Sequence, residues 1–239
     1  MEKIEKNKGG FQVDGSAFIL NLLEILLINI VLSGDNAVVI ALACRNLPEQ
    51  YKKKAVFFGT FGAIALRVVL TFAAVYLLMI PYLNFIGGLL LLWIAVKLLK
   101  GEEEGDITAN SNLMGAIKTI IIADLVMSLD NVVAVAGAAN GNILLIILGL
   151  VISIPLIIWG SQLLMAIMEK FPIIIIIGAG LLGYTAGEMI LKDKAVGHVL
   201  EGINHSLHLA IPIILAILVI LIGKFSEHLA KAKGTVGAR

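Results

Sequence analysis

Val31–Ala41 reads VLSGDNAVVIA and Val126–Ala136 reads VMSLDNVVAVA, so one motif occurs twice, 95 residues apart. Each copy places an aspartate and an asparagine inside an apolar segment long enough to cross a bilayer. A charged side chain at the centre of a membrane helix costs roughly 2.5 to 3.5 kcal/mol on insertion scales, so it is rarely retained without a function. Two copies of one costly motif indicate a duplicated transport site.

A second pair of segments extends the repeat. Phe85–Leu99 (FIGGLLLLWIAVKLL) aligns with Ile176–Ile190 (IIGAGLLGYTAGEMI) at an offset of 91 residues. Each repeat therefore contains three apolar segments, and an odd number forces the second repeat to insert upside down. Inverted repeats are typical of secondary transporters, whose substrates bind near the membrane centre where the repeats meet.

The composition predicts an all-α, polytopic membrane protein. Of 239 residues, 59% are hydrophobic and 15% are charged, and the mean hydropathy is +1.01. Apolar runs of about 20 residues mark membrane-spanning helices. Seven such helices are predicted: Phe18–Cys44, Ala55–Met79, Pro81–Leu99, Leu113–Ala139, Ile143–Met168, Pro172–Leu191 and Leu207–Phe225.

The predicted helices divide the chain into five regions. A polar N-terminal segment, 1–17, resembles a signal-peptide n-region, but no small-residue cleavage site follows, so the first apolar segment is kept as helix one. Repeat 1 covers 18–100 and repeat 2 covers 113–191, with an acidic loop, 101–112, between them. The last region, 192–239, contains an external histidine-containing segment, the additional helix seven and a basic tail.

Lysine and arginine residues near the helix ends predict the orientation. With helix one running inward, twelve of these residues fall inside and five fall outside, so the N-terminus is predicted outside and the C-terminus inside. Arg67 lies within helix two. The inside set is Arg45, Lys52, Lys53, Lys54, Lys97, Lys100, Lys118, Lys170, Lys224, Lys231, Lys233 and Arg239, and the outside set is Lys3, Lys6, Lys8, Lys192 and Lys194.

The sequence also argues against several classes of function. A net charge of +1 argues against nucleic acid as a partner, because binding phosphates needs a basic surface. Cys44 is the only cysteine, so intramolecular disulfides and thiolate metal clusters are excluded. No Walker motif is present, which argues against direct coupling to ATP. We predict a transporter with no cofactor rather than an enzyme, with the lipid bilayer as a partner and homo-oligomers left open.

Asp35 and Asp130 lie at matching depths. Asp35 is about four residues past the centre of helix one and Asp130 about four past the centre of helix four, so each is roughly 6 Å from the midplane, on opposite sides. The two carboxylates are therefore predicted to converge around a two-fold axis. If helix one unwinds at Gly34, backbone carbonyl oxygens become available as well.

Polar side chains accompany both aspartates at helical spacing. They recur at i, i+4 and i+7 in each helix, and the offset of 95 maps one set onto the other. The alternative for the serines and for the first asparagine is hydrogen bonding that holds helices together. The two sets are Asn29, Ser33 and Asn36 in helix one, and Asp124, Ser128 and Asn131 in helix four.

Carboxylate, amide and hydroxyl oxygens together form a hard, oxygen-rich site. Such ligands suit Mn²⁺, Mg²⁺ or Ca²⁺ better than copper(I) or cysteine-bound zinc. The predicted metal ligands are Asp35, Asn36, Asp124, Asp130 and Asn131. Accessory candidates are Glu24, Asn29, Ser33, Arg67, Ser128, Glu188, His198, Glu201, His205 and His208.

Two of the accessory charges have alternative roles. Arg67 near the middle of helix two needs a carboxylate partner, either in a structural ion pair or as a counter-ion that holds the acidic site when the metal has left. Glu24 lies three turns before Asp35 and either extends the pathway outward or sits at the membrane interface.

A histidine-containing stripe follows helix six. Its four residues fall at i, i+3, i+7 and i+10 and either collect a metal ion or form the polar face of an interfacial helix. Glu188, at the outer end of helix six, is compatible with either role of the stripe. Lys97, at the inner end of helix three, is expected to extend its ammonium to the interface. The stripe consists of His198, Glu201, His205 and His208.

The motifs resemble those of the TerC family of integral membrane proteins, in its Bacillus-type short branch. The resemblance rests on INIVLSGDNAVVIALA at Ile28–Ala43, RNLPEQYKKKA at Arg45–Ala55 and IIIADLVMSLDNVVAVAGAANGN at Ile120–Asn142, and covers Phe18–Lys192. It implies a bacterial cytoplasmic membrane protein with seven helices in two inverted repeats, similar to the lysine-exporter superfamily. It also implies export of divalent metal, chiefly manganese, and matches the family's acidic motif positions to the five predicted ligands.

Two other functions remain open from the residues. An exporter of a cationic amino acid would use the same acidic midplane, with Arg67 as the candidate for the substrate carboxylate. An intramembrane aspartyl protease also needs two aspartates on different helices, but this sequence lacks the Gly-x-Gly-Asp pattern of that group. Carboxylates must lose protons to bind metal, which is compatible with proton exchange as the driving force.

Overall fold

The chain is helical throughout the part that can be described. The computed structural model describes residues 15–32, 34–77, 80–100, 109–139, 142–196 and 206–236, and within these ranges it contains no strand. The main helices are α1 (Gly15–Leu32), α2 (Gly34–Cys44), α3 (Glu49–Leu77), α4 (Leu83–Lys100), α5 (Ala109–Ala138), α6 (Ile143–Lys170), α7 (Ile173–Lys192) and α8 (Ser206–Val236).

The helices have the lengths and surfaces of a multi-pass membrane protein. Among the described residues, six helices, α3 to α8, contain a stretch long and apolar enough to cross a membrane, and α2 is a shorter apolar helix. Large apolar side chains such as Phe61, Trp93 and Leu221 are more than half exposed on the outside of the bundle. A bilayer solvates such a surface, which water would not.

The two copies of the repeated motif differ in how much of the helix around them is described. The sequence predicts one helix over Phe18–Cys44, and the structure describes helix on both sides of residue 33, as α1 up to Leu32 and as α2 from Gly34, with residue 33 itself outside the described ranges. The second copy lies inside the continuous helix α5, where Leu129 occupies the place of Gly34. Glycine is about 0.8 to 1.0 kcal/mol less favourable than alanine in a helix interior, and leucine is a good helix former.

Three helices extend beyond the apolar segments that the sequence predicts. Helix α1 begins at Gly15, inside the predicted polar segment 1–17, and α5 begins at Ala109, inside the predicted acidic loop 101–112. Helix α8 continues to Val236, so the basic tail beyond Phe225 extends the helix. Hydropathy marks the part of a helix that lies in the membrane, but polar residues can continue the same backbone hydrogen bonding in water.

The contacts between helices follow the predicted repeat. In the predicted repeat, α1 and α2 together correspond to α5, α3 corresponds to α6, and α4 corresponds to α7. The contact of α3 with α5 then has its counterpart in the contact of α6 with α1 and α2. Likewise, the corresponding helices α4 and α7 pack against each other, as do α3 and α6. A two-fold axis relating two repeats would generate this exchange of partners. Superposition of the repeats stays a prediction, and α8 packs outside them against α7 and α4.

Glycines allow α7 to approach its neighbours closely. A Cβ atom added to Gly88 of α4 would lie 2.8 Å from the carbonyl oxygen of Ala186, and one added to Gly187 of α7 would lie 2.5 Å from the Cα of Pro212. Both distances are shorter than van der Waals contact. The helices α4, α7 and α8 therefore pack through small residues, as is typical of membrane bundles.

Polar residues from distant parts of the chain contact both ends of α4. The Asp193 Oδ2 atom accepts a hydrogen bond from the Phe85 amide at 3.2 Å, and Arg45 Nη2 donates to the Leu99 carbonyl at 3.2 Å. A carboxylate at the amino end and a guanidinium at the carboxyl end both suit the helix dipole. These contacts also place the α2–α3 connection beside the carboxyl end of α4.

Candidate functional site

An ion pair between Arg67 and Asp124 lies inside the helix bundle. Helix α3 supplies Arg67 and α5 supplies Asp124, and the Nη2 to Oδ1 distance is 2.6 Å. Only 2% of the Arg67 side chain and 12% of the Asp124 side chain are exposed. The sequence predicts that Arg67 needs a carboxylate partner at membrane depth, and Asp124 is that partner.

Ser128 completes this group. Arg67 Nε donates a hydrogen bond to Ser128 Oγ at 2.8 Å, and Ser128 Oγ donates to Asp124 Oδ2 at 3.1 Å. Both carboxylate oxygens of Asp124 therefore accept hydrogen bonds from the protein. The helical spacing of Asp124 and Ser128, four residues apart on α5, allows both to face Arg67.

A small cavity adjoins the ion pair where four helices meet. Its volume is about 10 Å³, roughly the space that one water molecule needs. Polar and charged side chains lie on one part of its wall, and apolar side chains cover the rest. The lining residues are Asn36, Val39 and Ile40 of α2, Thr60, Ala63, Ile64 and Arg67 of α3, Ile120 and Asp124 of α5, and Ile157 of α6.

Two polar side chains in this wall lack hydrogen-bond partners within the described residues. Asn36 is 3% exposed and Thr60 is 2% exposed. Neither amide atom of Asn36, nor the hydroxyl of Thr60, is bonded to another described group. Leaving such a group buried and unpaired costs roughly 1 to 3 kcal/mol by mutational data. Oxygen atoms held in this way at a cavity are suited to a ligand that enters it.

The sequence analysis did not single out Thr60. It lies seven residues before Arg67, which places the two side chains on one face of α3. A search for polar residues at that spacing from Arg67 would have found it. Threonine is common in membrane helices, so the residue type alone gave no signal.

Asp35 lies in the first turn of α2 beside this group. Its side chain is half-buried, and its Oδ1 atom accepts a hydrogen bond from the Asn36 amide at 2.9 Å. The charges of Arg67 and Asp124 act on it through space.

Part of the predicted ligand set lies beyond what can be described. Ser33 is outside the described residues, and the side chains of Asn29 and Asp130 are too. Asn131 is buried in α5 and has an interaction with its surroundings. Helices α1 and α2 both contact α5, but the convergence of Asp35 and Asp130 stays a prediction. Among the described side chains, no group of three or more His, Cys, Asp or Glu residues could hold a metal ion.

Three of the accessory candidates lie apart from the cavity. Glu24 is exposed on α1, and Glu188 is 4.0 Å from Lys192 on the surface of α7. His208 is half-buried in α8, and the rest of the histidine stripe, His198, Glu201 and His205, lies outside the described residues. Lys97 is exposed, with its ammonium 5.4 Å from the centre of the Trp93 ring.

The chain matches one family over nearly its whole length. The model of the integral membrane protein TerC family matches residues 14–231. The membrane protein YjbE of Bacillus subtilis is 44% identical over 215 residues, which are 90% of this chain and 98% of YjbE. The inner membrane protein YgdQ of Escherichia coli is 27% identical over 202 residues, covering 77% and 84% of the two chains. No solved structure matches this chain. The chain therefore belongs to the TerC family of integral membrane proteins.

Proposed function

We propose that this protein is a secondary transporter that exports divalent metal cations, with Mn²⁺ as the chief substrate. The observation that carries the proposal is the cavity of about 10 Å³, which Arg67 and Asp124 line together with Asn36 and Thr60. The buried amide of Asn36 and hydroxyl of Thr60 have no hydrogen-bond partner among the described residues. Buried polar atoms without partners favour a ligand, and a cavity of this size accommodates an ion better than an organic molecule.

The available atoms favour a hard cation. Carboxylate, amide and hydroxyl oxygens dominate the polar wall, and these ligands suit Mn²⁺, Mg²⁺ and Ca²⁺. The preference for Mn²⁺ within this group rests on what the resemblance of the paired motifs to the TerC family implies. Asp35 and Asp130 supply the two negative charges that balance a dication, since Arg67 balances Asp124.

Arg67 acts in this proposal as the resident cation of the site. With the ion absent, its guanidinium keeps Asp124 charge-balanced inside the membrane, where an isolated carboxylate is unfavourable. Carboxylates that receive a metal must be deprotonated. Proton exchange through Asp35 and Asp130 is therefore the driving force that we propose, with transport from inside to outside.

The rival substrate, a cationic amino acid, fits the same observations less well. Its carboxylate would need Arg67, but the guanidinium already donates to Asp124 and Ser128. Its side chain and backbone would also need far more space than about 10 Å³. A metal ion requires neither a new partner for Arg67 nor a larger cavity.

The test compares Asp35→Asn with a matched control, Glu24→Gln. Both changes neutralise one carboxylate in the first apolar segment, but Asp35 lies beside the cavity and Glu24 is exposed. We expect everted vesicles with the parent or Glu24→Gln to take up Mn²⁺ when a proton gradient is imposed, and vesicles with Asp35→Asn to lose this uptake. Cells should likewise accumulate Mn²⁺ without the parent protein. Lysine or arginine transport with no Mn²⁺ transport would overturn the proposal in favour of the amino-acid exporter.

A further inference from the structure

A second cavity opens at the ends of α3 and α6. Its volume is about 220 Å³, far larger than that of the cavity beside Arg67. We call it the vestibule. Its lining residues are Glu49, Lys52, Lys53 and Val56 of α3, with Gln162, Met165, Ala166 and Glu169 of α6.

The vestibule and the cavity beside Arg67 lie along the same pair of helices. On α3, the vestibule ends at Val56 and the cavity begins at Thr60. Four residues of helix separate them, about 6 Å at 1.5 Å per residue. On α6, Ile157 lines the cavity and the nearest vestibule residue is Gln162. Two buried apolar side chains of the vestibule wall, Val56 and Met165, form an apolar layer between its open space and the interior of the bundle.

Lys52 joins the two helices at the vestibule. Its ammonium is 2.6 Å from Glu49 Oε1 on its own helix and 2.5 Å from Glu169 Oε1 on α6. The Lys52 side chain is only 11% exposed, whereas 58% of the Glu169 side chain is exposed. The lysine thus reaches inward from α3 and holds α6 by a charge-assisted hydrogen bond, a strong class of contact.

On the side of the cavity away from the vestibule, described residues pack in an apolar cluster. Ile64 lines the cavity and belongs to a cluster of buried side chains that includes Val135, Leu145 and Leu150. Such a layer excludes water and ions. The vestibule is therefore the nearer aqueous space for an ion that enters or leaves the cavity.

We propose that Lys52 is the latch of an inner gate: its bond to Glu169 holds α3 against α6 and closes the route from the vestibule to the Asn36–Thr60 cavity. The assignment of this route to ion export rests on the function proposed above. Separation of α3 and α6 at this end, with release of Lys52 from Glu169, opens the path past Val56 and Met165. The lysine and arginine asymmetry places this end on the cytoplasmic side.

The latch can be tested without measuring transport. Val56 is 1% exposed, so a cysteine there reports whether water reaches the layer below the vestibule. Cys44 is replaced by alanine first, and V56C is then labelled in everted vesicles with an impermeant thiol reagent. Lys52→Gln removes the latch, and Lys53→Gln is the matched control, because the neighbouring Lys53 lines the same vestibule but is exposed.

We expect the V56C thiol to react about tenfold faster or more in Lys52→Gln than in the parent, as loss of one charge-assisted hydrogen bond predicts. Lys53→Gln should react like the parent. Exchanging the charges, as K52E with E169K, should restore slow labelling. Equal rates in the parent and Lys52→Gln would overturn the latch, and so would equal acceleration by Lys53→Gln.

Two further measurements separate this proposal from the function on which it rests. Right-side-out vesicles with Lys52→Gln should leave V56C unlabelled, and fast labelling there would overturn its assignment to an inner gate. If the labelling rate of V56C depends on Lys52 but Mn²⁺ is not transported, the inner gate is supported and the proposed substrate is wrong. If Mn²⁺ is transported and the labelling rate does not depend on Lys52, the proposed substrate is supported and the latch is wrong.

Discussion

Both carboxylate oxygens of Asp124 accept hydrogen bonds in this structure, one from Arg67 and the other from Ser128. Removing one member of a buried ion pair leaves the other uncompensated, which costs about 3 to 5 kcal/mol. We therefore expect Asp124→Asn alone to lower the thermal stability of the purified protein strongly. Asp35→Asn should change it far less, because the Asp35 carboxylate is half-buried and bonds only a neighbouring amide among the described contacts.

The double variant Arg67→Gln, Asp124→Asn should recover most of that stability, since no unpaired charge remains. Thermal unfolding of both single variants and the double variant gives the coupling energy between the two residues. A double variant that is stable but fails to transport Mn²⁺ would identify Arg67 as a counter-ion needed for export. A double variant that transports like the parent would reduce the pair to a structural role.

Asn36 offers a second prediction at this scale. Its amide is buried without a partner among the described residues, so replacing it with leucine removes a group whose burial costs roughly 1 to 3 kcal/mol. Asn36→Leu should therefore unfold at the same temperature as the parent or higher, yet lose Mn²⁺ binding measured by calorimetry. Asn131→Leu is the control: Asn131 is also buried but has an interaction with its surroundings, and we expect this variant to lose stability. Loss of stability in Asn36→Leu would show that the amide has a structural partner.

The sequence predicts the members of the site better than their partners. Each member of the site is either a charged side chain, which is unfavourable inside a membrane helix, or a polar side chain at a repeated helical spacing. The structure brings together Asn36, Arg67, Asp124 and Ser128. Which carboxylate pairs with Arg67 depends on packing between residues 57 positions apart, and local patterns carry no such information. The same holds for Lys52 and Glu169, which are 117 positions apart. Each looks like an ordinary charged residue at the end of its helix.

At the scale of elements, one glycine distinguishes the two copies of the motif. Apolar length predicts the spans because a span must match the thickness of the membrane, but it carries no information on how easily a helix unwinds within its span. Position 34 is glycine in the first copy, whereas the equivalent position in the continuous helix α5 is Leu129. Because glycine favours the helix less than leucine does, the first copy is the easier of the two to unwind beside Asp35.

This predicts different effects of alanine at two glycines. A Cβ atom at Gly34 or at Gly137 of α5 would meet no described atom within 4 Å, so both changes fit the structure. Alanine favours helix by roughly 0.5 to 1 kcal/mol over glycine. We expect Gly34→Ala to slow Mn²⁺ uptake into everted vesicles by stiffening the helix beside Asp35, while Gly137→Ala transports normally. Equal rates for both variants and the parent would show that α2 works as a rigid helix.

At the scale of the whole molecule, polar contacts assign helix ends to the two faces. Arg45 bonds the carboxyl end of α4, and Lys52 bonds the carboxyl end of α6 through Glu169. Asp193 bonds the amino end of α4, at the other face. The structure thus collects Arg45, Lys52 and the basic ends of α4 and α6 on one face. This agrees with the alternation of seven spans that underlies the predicted orientation.

The face that carries these residues is predicted to be cytoplasmic, because lysine and arginine near helix ends are retained inside. With Cys44 replaced, E102C should resist an impermeant thiol reagent in whole cells, and H198C should react. Permeabilised cells are the control, since both thiols should then react. The two positions lie in different connections, so one experiment tests both faces. Reaction of E102C and protection of H198C would invert the molecule in the membrane, place the vestibule outside and turn the proposed export route into one for uptake.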